Sequence, residues 1–179
     1  DEYDWARSAQ VIASSEQVDG MAANVLSGQS RSVHGELGAP ADRANPGTHR
    51  WMSDPAAGLP AWIELRWSKP IPVGEIQLVF DSGLSRTLTL SHSDAYVERM
   101  EWGQAQSETI RDYVIEGCVA GTWQQLIEVT GNYQRRLRHH LEKDVEVDSL
   151  RVTVSATNGL DHARVNEIRV YESSAPVWV

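Results

Sequence analysis

Tryptophan and tyrosine are the residues of this chain with the most to offer a ligand. There are seven Trp and five Tyr against a single Phe. Each combines a broad apolar face with a polar handle, which suits binding surfaces and sandwich cores alike. An exposed ring of this kind stacks on the apolar C–H side of a pyranose. Planar polar groups of Arg, Asn, Asp, Glu and His then make paired hydrogen bonds to the hydroxyls. Trp102 is the preferred stacking residue, because it sits in a polar stretch with no alternating pattern around it. Arg86, in the same stretch, would donate two hydrogen bonds to vicinal hydroxyls. Each has a plainer reading: Trp102 as a plug beneath a long loop, Arg86 as half of a surface salt bridge.

Catalytic signatures are missing. The histidines are His34, His49, His92, His139, His140 and His162. None forms a His-x-x-x-His pair on a helical pattern, and Cys118 is alone, so no thiolate cluster or intrachain disulfide forms. His139 and His140 are neighbours on a strand, so their side chains point to opposite faces. His92-Ser93-Asp94 brings suitable groups together in sequence, but adjacency is not triad geometry. Gly-x-Ser-x-Gly, P-loop and dinucleotide fingerprints are absent. The chain reads as a binding domain, not an enzyme.

The formal net charge is −9, which repels a phosphate backbone and argues against nucleic acid, anionic membranes and sulfated glycans. Arg135, Arg136 and Arg138 are the one basic cluster, read as the solvated outer face of a strand. No apolar run is long enough to span a membrane. The chain opens Asp1-Glu2-Tyr3-Asp4 with no leader pattern, as expected of a segment that has lost a leader or belongs to a longer protein.

The elements that must position these residues are strands. Gln10 to Ala13 is a short strand candidate. Residues 16 to 60 are rich in Gly, Pro, Ala, Ser and Asn and read as one irregular excursion, held by hydrogen bonds, a metal ion or packing of Trp51. Ile63, Leu65 and Trp67 alternate with Glu64 and Arg66, giving a half-buried strand. Lys69-Pro70-Ile71-Pro72 is expected to end it, and Ile76, Leu78 and Phe80 mark another. Residues 82 to 110 form a polar insertion, with a short strand candidate at Thr87 to Leu90. Further strands are expected at Tyr113–Glu116, Trp123–Val129, Arg135–Leu141, Leu150–Val154 and Val165–Tyr171, with turns at Gly131-Asn132 and Asn158-Gly159. No segment keeps a helical period. One all-β domain, residues 1–179, follows, a sandwich or barrel. Trp51 and Trp67 are read as core, Trp62 and Trp123 as structural, and Trp5 with Trp178 as closing the ends.

Ordered landmarks then point to a family. They are Ala23-Asn24-Val25-Leu26-Ser27-Gly28, Thr48-His49-Arg50-Trp51-Met52-Ser53-Asp54, and Pro60-Ala61-Trp62-Ile63-Glu64-Leu65 followed by Lys69-Pro70 and Gly74-Glu75-Ile76-Gln77-Leu78. The last is Leu150-Arg151-Val152-Thr153-Val154 leading to Val165-Asn166-Glu167-Ile168-Arg169-Val170-Tyr171. Together they resemble the discoidin family, the coagulation factor 5/8 C-terminal type, to which many bacterial carbohydrate-binding modules belong. Gly131-Asn132-Tyr133-Gln134-Arg135-Arg136 and Ala156-Thr157-Asn158-Gly159 resemble discoidin-like segments at the C-terminal end of large bacterial proteins, some with flavin-oxidoreductase-like catalytic parts.

The resemblance implies a galactose-binding-domain-like jelly-roll β-sandwich of two antiparallel sheets with long loops. It also implies a non-catalytic module, secreted, periplasmic or at the bacterial cell surface, that tethers an attached catalytic domain to a polysaccharide or glycan. Its binding loops would offer His49, Arg50, Ser53 and Asp54 around the first landmark Trp, Asp81, Arg86, Tyr96 and Trp102 after Phe80, and Asn158, Asp161 and His162 before the last strand. Asn158-Gly159 is equally a plain turn. The family often holds a structural calcium ion with carbonyls of the early loop, an Asp before the Gly, and a C-terminal Glu. Glu167 matches that Glu, but Ser27 stands where the Asp is usual, and a hydroxyl is a poorer ligand for a hard cation. Two rival functions remain. One is a docking domain whose insertion 82 to 110 packs on a catalytic neighbour. The other is a lipid-binding domain with Met52, Leu59, Leu84 and Met100 as apolar spikes, opposed by the acidic balance.

Overall fold

The computed structural model describes residues 2–29, 49–83, 101 and 103–175. The described residues form seven strands: β1 (Gln10–Ala13), β2 (Trp51–Met52), β3 (Ala61–Phe80), β4 (Ile110–Val119), β5 (Thr122–Val129), β6 (Arg136–Thr157) and β7 (Arg164–Tyr171). Two short 3₁₀ turns flank β1, Trp5–Ser8 before it and Ala22–Leu26 after it. Every pairing between strands is antiparallel.

The two long strands make the sandwich. The first part of β3, Ala61–Arg66, pairs with Val154–Ser149 of β6, and the second part, Glu75–Val79, pairs with His140–Arg136. Register shifts fall between Arg66 and Ile71 and between Val73 and Glu75, where both strands bend together. One sheet therefore runs β5–β4–β6–β3–β1 and the other β6–β3–β7–β2. Contact across the gap confirms that they face each other. The Tyr113 ring of the first sheet meets Phe80 and His139 of the second, with centroids 5.3 and 5.9 Å apart. Ile63, Leu65, Ile115, Leu150 and Val152 fill the gap from one side, and Ile76, Leu78, Phe80, Ile168 and Val170 from the other.

The expected break at Pro70 and Pro72 is instead a bend inside one strand. Between the last β1 partner, Arg66, and the first β7 partner, Glu75, β3 pairs only with β6. A proline in that interval lacks a donor on an edge that has no partner to receive it. Gly74 is needed at the same bend, because a Cβ there would lie 2.1 Å from Asp144 Oδ1 and 2.5 Å from the Ser173 backbone nitrogen.

The tryptophans divide as their sequence positions imply, with one difference. Trp51 is fully buried and Trp67 packs against the core. Trp62 and Trp123 lie half-buried on the outer face of the first sheet, stacked on either side of the Arg151 guanidinium at 5.0 and 4.2 Å. Arg151 also makes two hydrogen bonds to the buried Glu64. Trp5 stays at the surface with its carbonyl accepting from Trp67 Nε1 at 2.9 Å, and Trp178 lies outside the described residues. Arg138 and Arg136 are not merely solvated. They lie along the outer face of the second sheet, bonded to Glu75 and Gln77.

His139 points inward and His140 outward, as period two requires. His139 Nε2 lies 2.8 Å from the Tyr113 hydroxyl, and His140 Nδ1 lies 3.2 Å from Glu75. Burial, helped by the neighbouring His140, holds the His139 imidazole below its ordinary 6.5. The unfolded chain thus accepts a proton near that pH that the folded chain refuses. Stability from a neutral His139 is complete above pH 6.5 and is lost as pH falls toward the folded value. The melting temperature is expected to drop between about pH 7 and 5.5, before most carboxylates titrate. His139→Gln, which keeps a partner for Tyr113, should flatten that slope. An unchanged slope would move the pH dependence elsewhere.

Candidate functional site

The ends of β2, β3, β5 and β6 and the starts of β4 and β7 converge at one end of the sandwich. Two asparagines knit the loops there. Asn132 Nδ2 donates to the carbonyls of Ile110 at 2.6 Å and Gln134 at 3.1 Å, while its Oδ1 accepts from Gln134 N. Asn158 Nδ2 donates to the carbonyls of Thr109 and Asn132 at 2.9 and 3.0 Å. Leu160 N donates to Ser107 O, and Ser53 and Ala163 exchange bonds through Ser53 N and Ser53 Oγ. An amide side chain suits this task, since it offers two donors and an acceptor in one plane.

On this base lies an open concavity of about 610 Å³, lined by Gly103, Gln104, Gln106, Gly131, Tyr133 and Asn158 among others. None of the described lining residues carries a formal charge. Tyr133 is 68% exposed, more than any other described Trp, Tyr or Phe. Gly131 takes a φ of 69°, the left-handed turn that lets the chain leave β5 and present Tyr133 at the rim. Sequence reasoning did not pick Tyr133 as a ligand residue. The available signal was an aromatic directly after a Gly-Asn turn, where no alternating pattern asks for a core side chain.

A second, buried layer lies beside it. Asp81 is 5% exposed and sits between the guanidinium groups of Arg50 at 3.1 Å and Arg164 at 3.3 Å. Arg164 Nε also donates to His162 Nε2 at 2.9 Å, and His162 Nδ1 faces Asp161 at 2.7 Å. This fixes the tautomer of His162 as Nδ1–H, since Nε2 is the acceptor. The bond from His162 holds the Asp161 carboxyl below the ordinary carboxylate range.

The sequence-derived candidates therefore occupy different places. Asn158 lines the concavity. Asp81 and His162 belong to the buried layer, with both ring nitrogens of His162 engaged. Asp54 is half-buried and closes its own turn, its Oδ1 accepting from Ala56 N at 2.9 Å. His49 takes a φ of 46°, and its carbonyl accepts from Asn166 Nδ2 at 3.4 Å. Arg86, Tyr96 and Trp102 lie outside the described residues, as do Leu84, Met100 and the strand candidate Thr87 to Leu90. Of the other apolar spike candidates, Met52 is buried and Leu59 packs against the core. Glu167 is 1% exposed, with Oε1 accepting from Arg169 Nε at 2.9 Å and Arg7 Nη2 at 3.4 Å. Ser27 is exposed, its Oγ accepting from Gln29 N at 3.2 Å.

No protein-family model and no curated protein sequence matches the chain. Solved structures do. A family 32 carbohydrate-binding module of Clostridium perfringens NanJ, in complex with galactose, superposes with a TM-score of 0.65 at 16% identity, over 93% of this chain and 96% of that one. The family 32 module of Streptococcus pneumoniae EndoD gives 0.63 at 20% identity, over 92% and 96%. In SpGH29 the match covers 97% of this chain but 29% of the other, with a TM-score of 0.63 at 17% identity. The chain has the jelly-roll sandwich fold of these carbohydrate-binding modules.

Proposed function

We propose that this domain is a non-catalytic carbohydrate-binding module. It would bind a neutral sugar ring, or the end of a glycan chain, at the loop end of the sandwich. The observation that carries this reading is the exposed Tyr133 ring at the rim of a concavity bordered by side-chain amides. An aromatic face beside amides matches a pyranose, whose ring faces are apolar and whose edges are hydroxyls. The side-chain amides of the described lining offer donors and acceptors suited to sugar hydroxyls. Trp102 immediately precedes Gly103 of the lining, and we assign it and Arg86 to the same ligand. Asp81, His162 and Arg164 then act beneath the site by holding its loops.

The module would serve an attached enzyme by holding it on its substrate. A shallow site has low affinity, and tethering compensates through effective concentration. The same fold as 29% of a longer chain in SpGH29 supports such an arrangement. The bacterial modules of like fold support a location outside the cell. Among the described residues no helix is long and apolar enough to cross a membrane.

A panel of neutral, acidic and sulfated glycans, read by immobilised-glycan binding and calorimetry, tests the assignment. A neutral glycan is expected to bind, and Tyr133→Ala to weaken it about tenfold, near 1.4 kcal/mol, with the fold intact. Trp102→Ala and Arg86→Ala should weaken it as well. A blank panel would instead favour the docking role.

A further inference from the structure

The early-loop cation site implied by the resemblance contains a positive charge belonging to the chain itself. Arg7 stands on the first 3₁₀ turn, Trp5–Ser8. Its Nη1 donates to the Leu26 carbonyl, its Nη2 lies 3.4 Å from Glu167 Oε1, and its Nε lies 3.3 Å from Asp4 Oδ2. The last is an ion-pair contact without hydrogen-bond alignment, since Asp4 Oδ2 has no hydrogen-bond partner. The other Asp4 oxygen accepts from Ala6 N and Val170 N at 3.1 and 3.0 Å. One guanidinium therefore ties together the N-terminal turn, the early loop and β7.

Calcium does not fit the same donors. It needs six to eight oxygens at about 2.3–2.6 Å. The Leu26 carbonyl and the Glu167 carboxylate are already bonded to Arg7, and Glu167 is shared with Arg169 at 2.9 Å. Ser27 Oγ supplies no charge and accepts from Gln29 N. Asp4 and Glu167 balance Arg7 and Arg169, so a divalent ion would add two uncompensated charges beside two guanidinium groups. Space points the same way. A Cβ on Gly28, whose φ is 77°, would lie 2.8 Å from Arg7 Nη2, so the loop closes directly over the guanidinium.

We propose that the Arg7 guanidinium is the resident cation of this site, bridging the Leu26 carbonyl, Glu167 and Asp4 in place of a calcium ion. The domain is then stable without calcium. A bound ion would raise the melting temperature in proportion to the logarithm of its concentration over its dissociation constant. Scanning calorimetry of the whole chain in chelator and in millimolar calcium is therefore expected to give one midpoint. Arg7→Met should lower it by about 5 °C, given losses near 2–4 °C per kcal/mol for a chain of this size. Arg7→Lys should recover part of that, because an ammonium keeps the charge but not the fork. Limited proteolysis of Arg7→Met should show faster cleavage between Leu26 and Gln29 than in the wild type. A calcium-dependent rise of the wild-type midpoint would overturn the proposal. So would an Arg7→Met protein that melts and digests like the wild type. If Arg7→Met fails to fold, the wild-type calcium comparison and Arg7→Lys still decide.

Discussion

Asp81→Ala is expected to destabilise the domain by about 3–5 kcal/mol, because it removes the buried carboxylate that Arg50 and Arg164 share. The Asp81 side chain is 7% exposed, and those of Arg50 and Arg164 are 10% and 21% exposed. Water cannot replace the lost carboxylate at little cost in such a place. The Asp81 carbonyl also accepts from Thr109 Oγ1 at 3.0 Å, and Thr109 O accepts from Asn158 Nδ2, which joins the Asp81 loop to the concavity. Urea unfolding followed by Trp fluorescence reads the effect as a lower midpoint at unchanged slope. Asp81→Asn, which keeps the shape and loses the charge, should fall between Ala and wild type. A loss under about 1 kcal/mol for Asp81→Ala would mean that water reaches both guanidiniums and the layer is a surface ion pair.

Trp51→Ala is the second large effect, expected to cost about 3–5 kcal/mol through the cavity it leaves. The side chain is fully buried, and its Nε1 donates to the Ser15 carbonyl at 2.9 Å. Its strand is only two residues long and is held to β7 by the pairs Trp51↔Val165 and Met52↔Arg164. Losing the ring therefore loosens the strand that places Ser53 against Ala163 and Arg50 against Asp81. Trp51→Phe should cost less, about 1–3 kcal/mol, mainly by leaving the Ser15 carbonyl without its donor. Thermal melts of the two variants separate packing from hydrogen bonding. If Phe costs as much as Ala, the hydrogen bond and not the ring volume dominates.

Several features were legible in the residues because they depend on short-range periodicity. Alternation of Ile63 with Glu64 and of Leu150 with Arg151 announced strands, and the structure places them in β3 and β6. His139 and His140 fall on opposite faces for the same reason. Trp51 was legible as core, and Gly131-Asn132 as a turn. What periodicity could not show was continuity. Residues 142–149 carry charges at Glu142, Lys143, Asp144, Glu146 and Asp148, which hid that β6 runs through them as an edge-like bend between sheets. Pro70 hid the continuity of β3 in the same way.

The sequence by itself determined an all-β chain, its strand faces, its acidic character and the set of polar residues offered to its loops. Each of these follows from neighbours a few residues apart or from counting charges. Tertiary structure alone decided which polar groups face solvent and which face one another. Asp81 and His162 look like exposed loop residues in sequence, yet both are buried: Asp81 meets Arg50 and Arg164 from distant segments, and His162 bonds to the Arg164 that Asp81 holds. Tyr133 looks like part of a turn, yet the loops around Asn132 and Asn158 leave its ring at the rim. Arg7 carries no motif at all. Its role exists because folding brings Leu26 and Glu167 within reach of one guanidinium beside Asp4, and no local pattern encodes contacts across so many residues.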